Sequence, residues 1–203
     1  MKIKICGLSR SCDIAYVNKY KPDYIGFVFA ESKRKVTAAQ ALDLRKLLSP
    51  DMIPVGVFVN EKTENIISLV NSGVIDMIQL HGDETESYIQ KLKSETDKPI
   101  IKAVSIIKKG DAQKWEDAYS AADYLLLDNK GGGTGQAFDW GLIGKINKKY
   151  FLAGGLNPEN VIHVGDSVPD VPPFAVDVSS GVETDGVKDP IKIKEFIRRI
   201  RNE

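Results

Sequence analysis

The sequence predicts an α/β fold closed into a (β/α)8 TIM barrel, a single domain over residues 1–203, and three observations carry that expectation. Short runs rich in β-branched and aromatic residues recur at nearly even intervals along the chain. Longer, more polar segments with helical spacing lie between them, and strict alternation of this kind implies parallel strands joined by crossover helices. The runs are almost continuously apolar, as strands are when both faces are buried. A doubly wound open sheet satisfies the alternation too. Eight units without an obvious linker favour the barrel, near the small end of that fold.

The expected strands lie at 2–6, 24–29, 53–59, 76–80, 100–104, 124–128, 150–153 and 175–178. About eight helical segments are expected between and after them. Over 37–48, Ala38, Ala41, Leu42, Arg45 and Leu48 fall on related faces. Over 63–72, Ile66, Ile67 and Val70 do so, and over 190–200 Ile193, Phe196, Ile197 and Ile200 form a stripe. Pro190 suits a first helical turn and Asp189 its N-cap. The stretch 165–173 holds three prolines and is expected as a long connection.

Composition narrows the function. Hydrophobic residues make up 42% of the chain, enough for a core. No apolar run approaches the ~18–20 residues that span a bilayer, and the first residues lack a signal-peptide core, so a cytoplasmic protein is expected. With 28 basic and 28 acidic residues the formal charge is +0, which gives no footprint for nucleic acid or membrane. Cys6 and Cys12 are too few for a disulfide framework, and His81 and His163 lack metal-ligand spacing. No metal is expected.

In such a barrel the chemistry sits just after each strand, on the βα loops. The first strand ends in Cys6-Gly7. A thiol at the mouth acts as a base only when ionised, from an ordinary pKa of ~8.5; the alternative is a small buried hydrophobe. Cys12, in the first helix, is read as structural. After the second strand come Lys33, Arg34 and Lys35, either a solvated charge run or a guanidinium placed to clamp a carboxylate. The fourth strand ends in Gln79-Leu80-His81-Gly82-Asp83, where His81 either meets a ligand or caps the next helix. The sixth closes on Asp128. A carboxylate ending an apolar run is costly to desolvate unless bonded, paired or protonated, and a raised pKa suits a general acid. The glycine-rich loop behind it, 131–135, is neither a Walker A motif nor a dinucleotide fingerprint. Gly154-Gly155 and Ser180-Gly181 follow the seventh and eighth strands, where these barrels commonly hold phosphate; each is otherwise an ordinary turn.

Taken together, the residues resemble the phosphoribosylanthranilate isomerase family. The matching pieces are K-I-C-G at 4–7, G-F-V-F-A-E-S-K-R-K-V at 26–36, V-G-V-F-V-N at 55–60 and Q-L-H-G-D-E at 79–84. L-L-L-D at 125–128, G-G-T-G-Q-A-F-D-W at 132–140, L-A-G-G-L-N-P-E-N-V at 152–161 and V-D-V-S-S-G-V-E at 176–183 complete the set. Each alone is modest; in this order, over nearly the whole chain, they are specific. The resemblance implies an Amadori rearrangement of N-(5-phosphoribosyl)anthranilate in tryptophan biosynthesis, with no cofactor. It implies Cys6 as general base, held as a thiolate, and Asp128 as general acid, held protonated. Arg34 is implied to contact the anthranilate part. Gly133, Thr134, Gly135, Gly154, Gly155, Ser180 and Gly181 are implied to hold phosphate, with His81 and Asp177 also among the substrate-binding positions. Lys33 departs from the family, which often has proline there. The implied partner is the phosphosugar substrate alone, and monomer and homodimer both stay open.

Two rivals remain at this point. One is another phosphosugar enzyme on the same barrel, such as a ribulose-phosphate epimerase or the related histidine-pathway isomerase. The strand-one cysteine with the strand-six aspartate, without a metal-ligand histidine set, separates them. The other is a phosphometabolite-binding protein without turnover, in which Cys6 and Asp128 are both dispensable.

Overall fold

The computed structural model describes residues 1–129, 138–168 and 171–202. Eight parallel strands close into a barrel: β1 (Lys2–Cys6), β2 (Tyr24–Val28), β3 (Ile53–Phe58), β4 (Met77–Leu80), β5 (Ile100–Ser105), β6 (Tyr124–Asp128), β7 (Tyr150–Leu152) and β8 (Ala175–Val178). β1 pairs with β8, so the first and last strands are neighbours and Lys4 lies beside Asp177. Every strand falls where the apolar runs predict it, with ends differing by at most one residue.

Seven α-helices are present among the described residues: α1 (Ser11–Tyr20), α2 (Ala38–Leu47), α3 (Thr63–Asn71), α4 (Glu86–Glu95), α5 (Asp111–Ala118), α6 (Val164–Ser167) and α7 (Pro190–Arg201). The described part of the β6–β7 connection holds only a 3-10 turn, Trp140–Leu142. Gly141 lies inside that turn, and Gly144 just beyond it has φ 56°, outside the helical region. The expected long connection from 165 instead opens inside the four-residue α6. Local chemistry sets other boundaries as anticipated. Thr37 accepts from the Gln40 amide, and Asp189 accepts from Ile191 and Lys192 ahead of Pro190. No helix among the described residues is long and apolar enough to cross a membrane.

Strand alternation divides the interior into two layers. Ile3, Ile5, Val176 and Val178 point outward and pack with helix residues such as Ile14, Ile66, Ile193 and Phe196. Tyr24, Val55, Met77, Ile101, Leu126, Phe151 and Ala175 fill the barrel itself. At the end where the strands begin, Tyr24, Tyr124 and Phe174 contact the Phe151 ring or one another at centroid distances of 5.3–5.8 Å, sealing that end with aromatic edges and faces. The polar interior residues therefore collect toward the opposite end.

One element was not anticipated. After β8, Ser180–Val182 forms a 3-10 turn and the chain then makes a hairpin, β9 (Glu183–Thr184) against β10 (Val187–Lys188), with Glu183 opposite Lys188. Asp185 and Gly186 turn it, both at positive φ (51° and 79°), as a two-residue hairpin turn requires. The Asp-Gly pair is the signal in the sequence that announces it.

Candidate active site

Cys6 closes β1 and is 7% exposed; Gly7 follows at φ 82°, turning the chain away from the mouth. The thiol is fixed against β2, since a side-chain carbon added to Gly26 would lie 2.6 Å from its sulfur. Cys6, Gln79, His81, Asp128, Gly154, Gly155, Asp177 and Ser180 all line one cavity of 160 Å³. His81 and Asp128 also face an adjoining hollow of 620 Å³, which Lys102, Trp115 and Tyr119 border. Strands far apart in sequence thus bring Cys6, Asp128, His81, Asp177 and the glycine turns to one mouth. Gly133, Thr134 and Gly135 lie outside the described residues.

The loops after β7 and β8 meet each other and the carboxylate. A Cβ at Gly154 (φ 83°) would stand 2.7 Å from Asp128 Oδ1 and 2.9 Å from the Asn129 nitrogen. A Cβ at Gly181 would overlap the Leu156 carbonyl. Glycine at both positions lets two backbones pack closely around the cavity.

Asp128 is 8% exposed, and its oxygens face different partners. Oδ1 accepts from the Asn129 amide at 2.7 Å, and Oδ2 lies 3.5 Å from His81 Nε2. His81 Nδ1 sits 2.9 Å from Gln79 Nε2. With the Gln79 amide donating, neutral His81 carries its proton on Nε2 and turns it toward Asp128. Gln79 Oε1 is buried with no hydrogen-bond partner, leaving that side of the amide available to a ligand or a reoriented neighbour.

Beneath the thiol lies an ion pair that sequence reading missed. Lys4 is fully buried and donates to both oxygens of Asp177 at 3.0 Å. Asp177, expected among the ligand-binding positions, is thus held by the barrel's own lysine. Burial pulls the Lys4 ammonium down, but Asp177 and the Cys6 sulfur outweigh it and raise its pKa. The thiolate that the resemblance implies meets an opposing cause here. Burial pushes the Cys6 thiol above its ordinary value, against opposing pulls from Lys4 and Lys188, and Asp177 adds to the rise. The same enclosure that shields the site from water makes an isolated anion costly there.

Arg34 is found on a carboxylate of the chain itself. Its Nε and Nη2 donate to Glu183 Oε1 and Oε2 at 2.6 and 2.8 Å, a side-on fork. Lys33 lies 3.6 Å from the same carboxylate, and Lys35 pairs with Glu31, so the three cations are not a uniformly solvated run. Lys188 Nζ, in the hairpin, donates to Glu183 Oε1 at 2.6 Å and to the Ser179 carbonyl at 3.0 Å. Burial pushes the Glu183 carboxyl up, yet Arg34 and Lys188 together bring it down to about 2.

That displacement has a pH signature. Glu183 titrates near 2 folded and near the ordinary 4.5 unfolded, so between those values the unfolded chain binds more protons. Its contribution to stability is full above about pH 4.5 and is lost as pH falls toward 2. In urea titrations the stability gap between the parent protein and Glu183→Gln should be constant above pH 5 and narrow steadily below 4.5; a gap that widens with acid contradicts the assignment.

The fold and the mouth define a (β/α)8-barrel enzyme with a thiol and a carboxyl facing one small cavity framed by glycine loops. The family model for N-(5'phosphoribosyl)anthranilate (PRA) isomerase matches residues 3–199. The N-(5'-phosphoribosyl)anthranilate isomerase of Endomicrobium trichonymphae is 46% identical over 205 residues, covering 99% of this chain and 98% of that one. The solved phosphoribosyl anthranilate isomerase of Thermotoga maritima superposes with a TM-score of 0.88 at 36% identity, over the whole of both chains. Another solved phosphoribosyl anthranilate isomerase, 35% identical with a TM-score of 0.85 and both chains fully covered, is in complex with reduced 1-(o-carboxyphenylamino)-1-deoxyribulose 5-phosphate. The chain belongs to the N-(5'-phosphoribosyl)anthranilate isomerase family.

Proposed function

We infer that the chain performs the isomerisation for which its family is named, with Cys6 and Asp128 dividing the proton transfers. The observation that carries this reading is that both face one cavity with the Gly154-Gly155 and Ser180 turns. Protonated Asp128 donates to the furanose ring oxygen of N-(5'-phosphoribosyl)anthranilate, and the ring opens to a Schiff base. Cys6 thiolate removes the proton from ribose C2, giving an enolamine that tautomerises to the ketone. Aldehyde-level C1 is reduced as C2 is oxidised, so no external electron carrier is consumed. The reaction supplies 1-(2-carboxyphenylamino)-1-deoxyribulose 5-phosphate to tryptophan biosynthesis.

A thiol that burial pushes up fits this scheme when ionisation accompanies substrate binding. Lys4 and Lys188 both favour the thiolate, and water displaced by substrate strengthens those interactions. The phosphate rests on the 154–155 and 180–181 turns. Arg34 takes the anthranilate carboxylate on the guanidinium edge that Glu183 leaves open. Two unpaired thiols, Cys6 and Cys12, suit a reducing cytoplasm.

The test is a fluorescence assay of N-(5'-phosphoribosyl)anthranilate consumption. Arg34→Ala should raise KM by an amount equivalent to one charged hydrogen bond, about 1.5–3 kcal/mol, with a smaller change in kcat. An unchanged KM removes Arg34 from carboxylate binding. A parent protein that binds the substrate but does not consume it returns the chain to the non-catalytic binding class.

A further inference from the structure

Arg34 reaches Gly7 and Glu183 from an exposed loop between β2 and α2, the kind of segment in which a long side chain samples many rotamers. Here it is held at both its stem and its head group. Its stem passes over Gly7, where an added Cβ would lie 3.4 Å from Arg34 Cγ. Its Nε–Nη2 edge is taken by Glu183. Glu183 does not drift either: it pairs in register with Lys188 across the hairpin, and both side chains are at most 5% exposed. Lys188 is tied in turn to the Ser179 carbonyl, and the Ser179 hydroxyl donates to the Cys6 carbonyl at 3.0 Å. The anchor of Arg34 is thus connected to the backbone of the residue read as the base.

A guanidinium has five N–H donors, and the fork on Glu183 uses two. Nη1 and the second hydrogen of Nη2 form another edge, spaced for a second carboxylate. Three cations, Arg34, Lys188 and Lys33, lie within 3.6 Å of one anion, so the cluster keeps positive charge for an incoming anion. We propose that Glu183, anchored by Lys188, is a positioning residue that presents the free edge of Arg34 to the ortho-carboxylate of the aromatic amine, and so sets the preference for a carboxylated substrate. This rests on reading Arg34 as the carboxylate clamp. Ordering the guanidinium before binding spares the substrate that entropy.

A double-mutant cycle on KM, with kcat followed separately, tests the proposal: the parent protein, Arg34→Ala, Glu183→Gln, and both together. Glu183→Gln should raise KM about tenfold, as for loss of one charge-assisted contact, with a smaller fall in kcat. The double variant should have the KM of Arg34→Ala alone, because Glu183 has nothing left to position. A purely structural Glu183 instead multiplies the two KM effects, which overturns the proposal, as does a Glu183→Gln KM equal to the parent's. If Arg34→Ala itself leaves KM unchanged, the clamp falls and this inference with it. If Arg34→Ala raises KM and Glu183→Gln does not, only the inference falls. Should Glu183→Gln not fold, Glu183→Gln with Lys188→Met, which buries no unpaired charge, takes its place in the cycle with the same expected outcomes.

Discussion

Asp128→Asn should lower kcat by about 10²–10⁴-fold while KM stays near the parent value. Asparagine keeps the side chain's shape, and its carbonyl can still accept from the Asn129 amide, as Oδ1 does at 2.7 Å. The Gly154 turn, which leaves no room for a larger neighbour, is unchanged. What is lost is a transferable proton at the ring oxygen. The loss corresponds to about 3–5 kcal/mol of transition-state stabilisation. Stability should change little, because the ionisable partner of Asp128 among the described residues, His81, stands at 3.5 Å. Steady-state kinetics with the substrate fluorescence readout checks this, and near-normal turnover of purified Asp128→Asn removes the residue from the acid role.

Cys6→Ala should produce a loss of the same order, about 10²–10⁴-fold in kcat, for a different reason. Alanine is smaller and neutral, so Lys4 and Asp177 keep their pairing and the barrel closure between β1 and β8 is undisturbed. Only the acceptor for the ribose C2 proton disappears. Cys6→Ser separates basicity from volume: a hydroxyl fills much of the space but does not ionise in this pH range. Both substitutions should be almost equally damaging. A Cys6→Ser enzyme that retains most of its kcat indicates that the position is occupied for packing.

The fold was legible because its determinants are local. Each apolar run is short, bounded and buried on both faces, and the runs at 2–6, 124–128 and 175–178 match β1, β6 and β8 end for end. The limit of counting alternations shows after β6, where the described residues of the connection form only a 3-10 turn, with Gly141 inside it and Gly144 just beyond. Which residues face the mouth was also readable, because the fold class assigns function to strand ends. Charge state was not. The Cys6 thiol is pushed up by burial, and Asp177, which adds to the rise and holds Lys4, arrives there only because β1 pairs with β8. Arg34 and Glu183 are 149 residues apart, and no local pattern joins them. The hairpin that carries Glu183 and Lys188 was announced by Asp185-Gly186, but the glycines before it drew attention to phosphate instead.

The account's central claim is that two proton transfers, one from Asp128 and one to Cys6, act in sequence on a single substrate. The deuterium isotope effect on kcat/KM for substrate labelled at ribose C2 tests it most directly, because only the Cys6 step breaks that bond. In Asp128→Asn, ring opening becomes the slow step and the isotope effect should shrink toward unity. In Cys6→Ser, proton removal becomes slower still and the effect should rise to its full intrinsic size. Opposite displacements from the parent value are the predicted result; a shift in the same direction in both variants, or none in either, contradicts the division of labour.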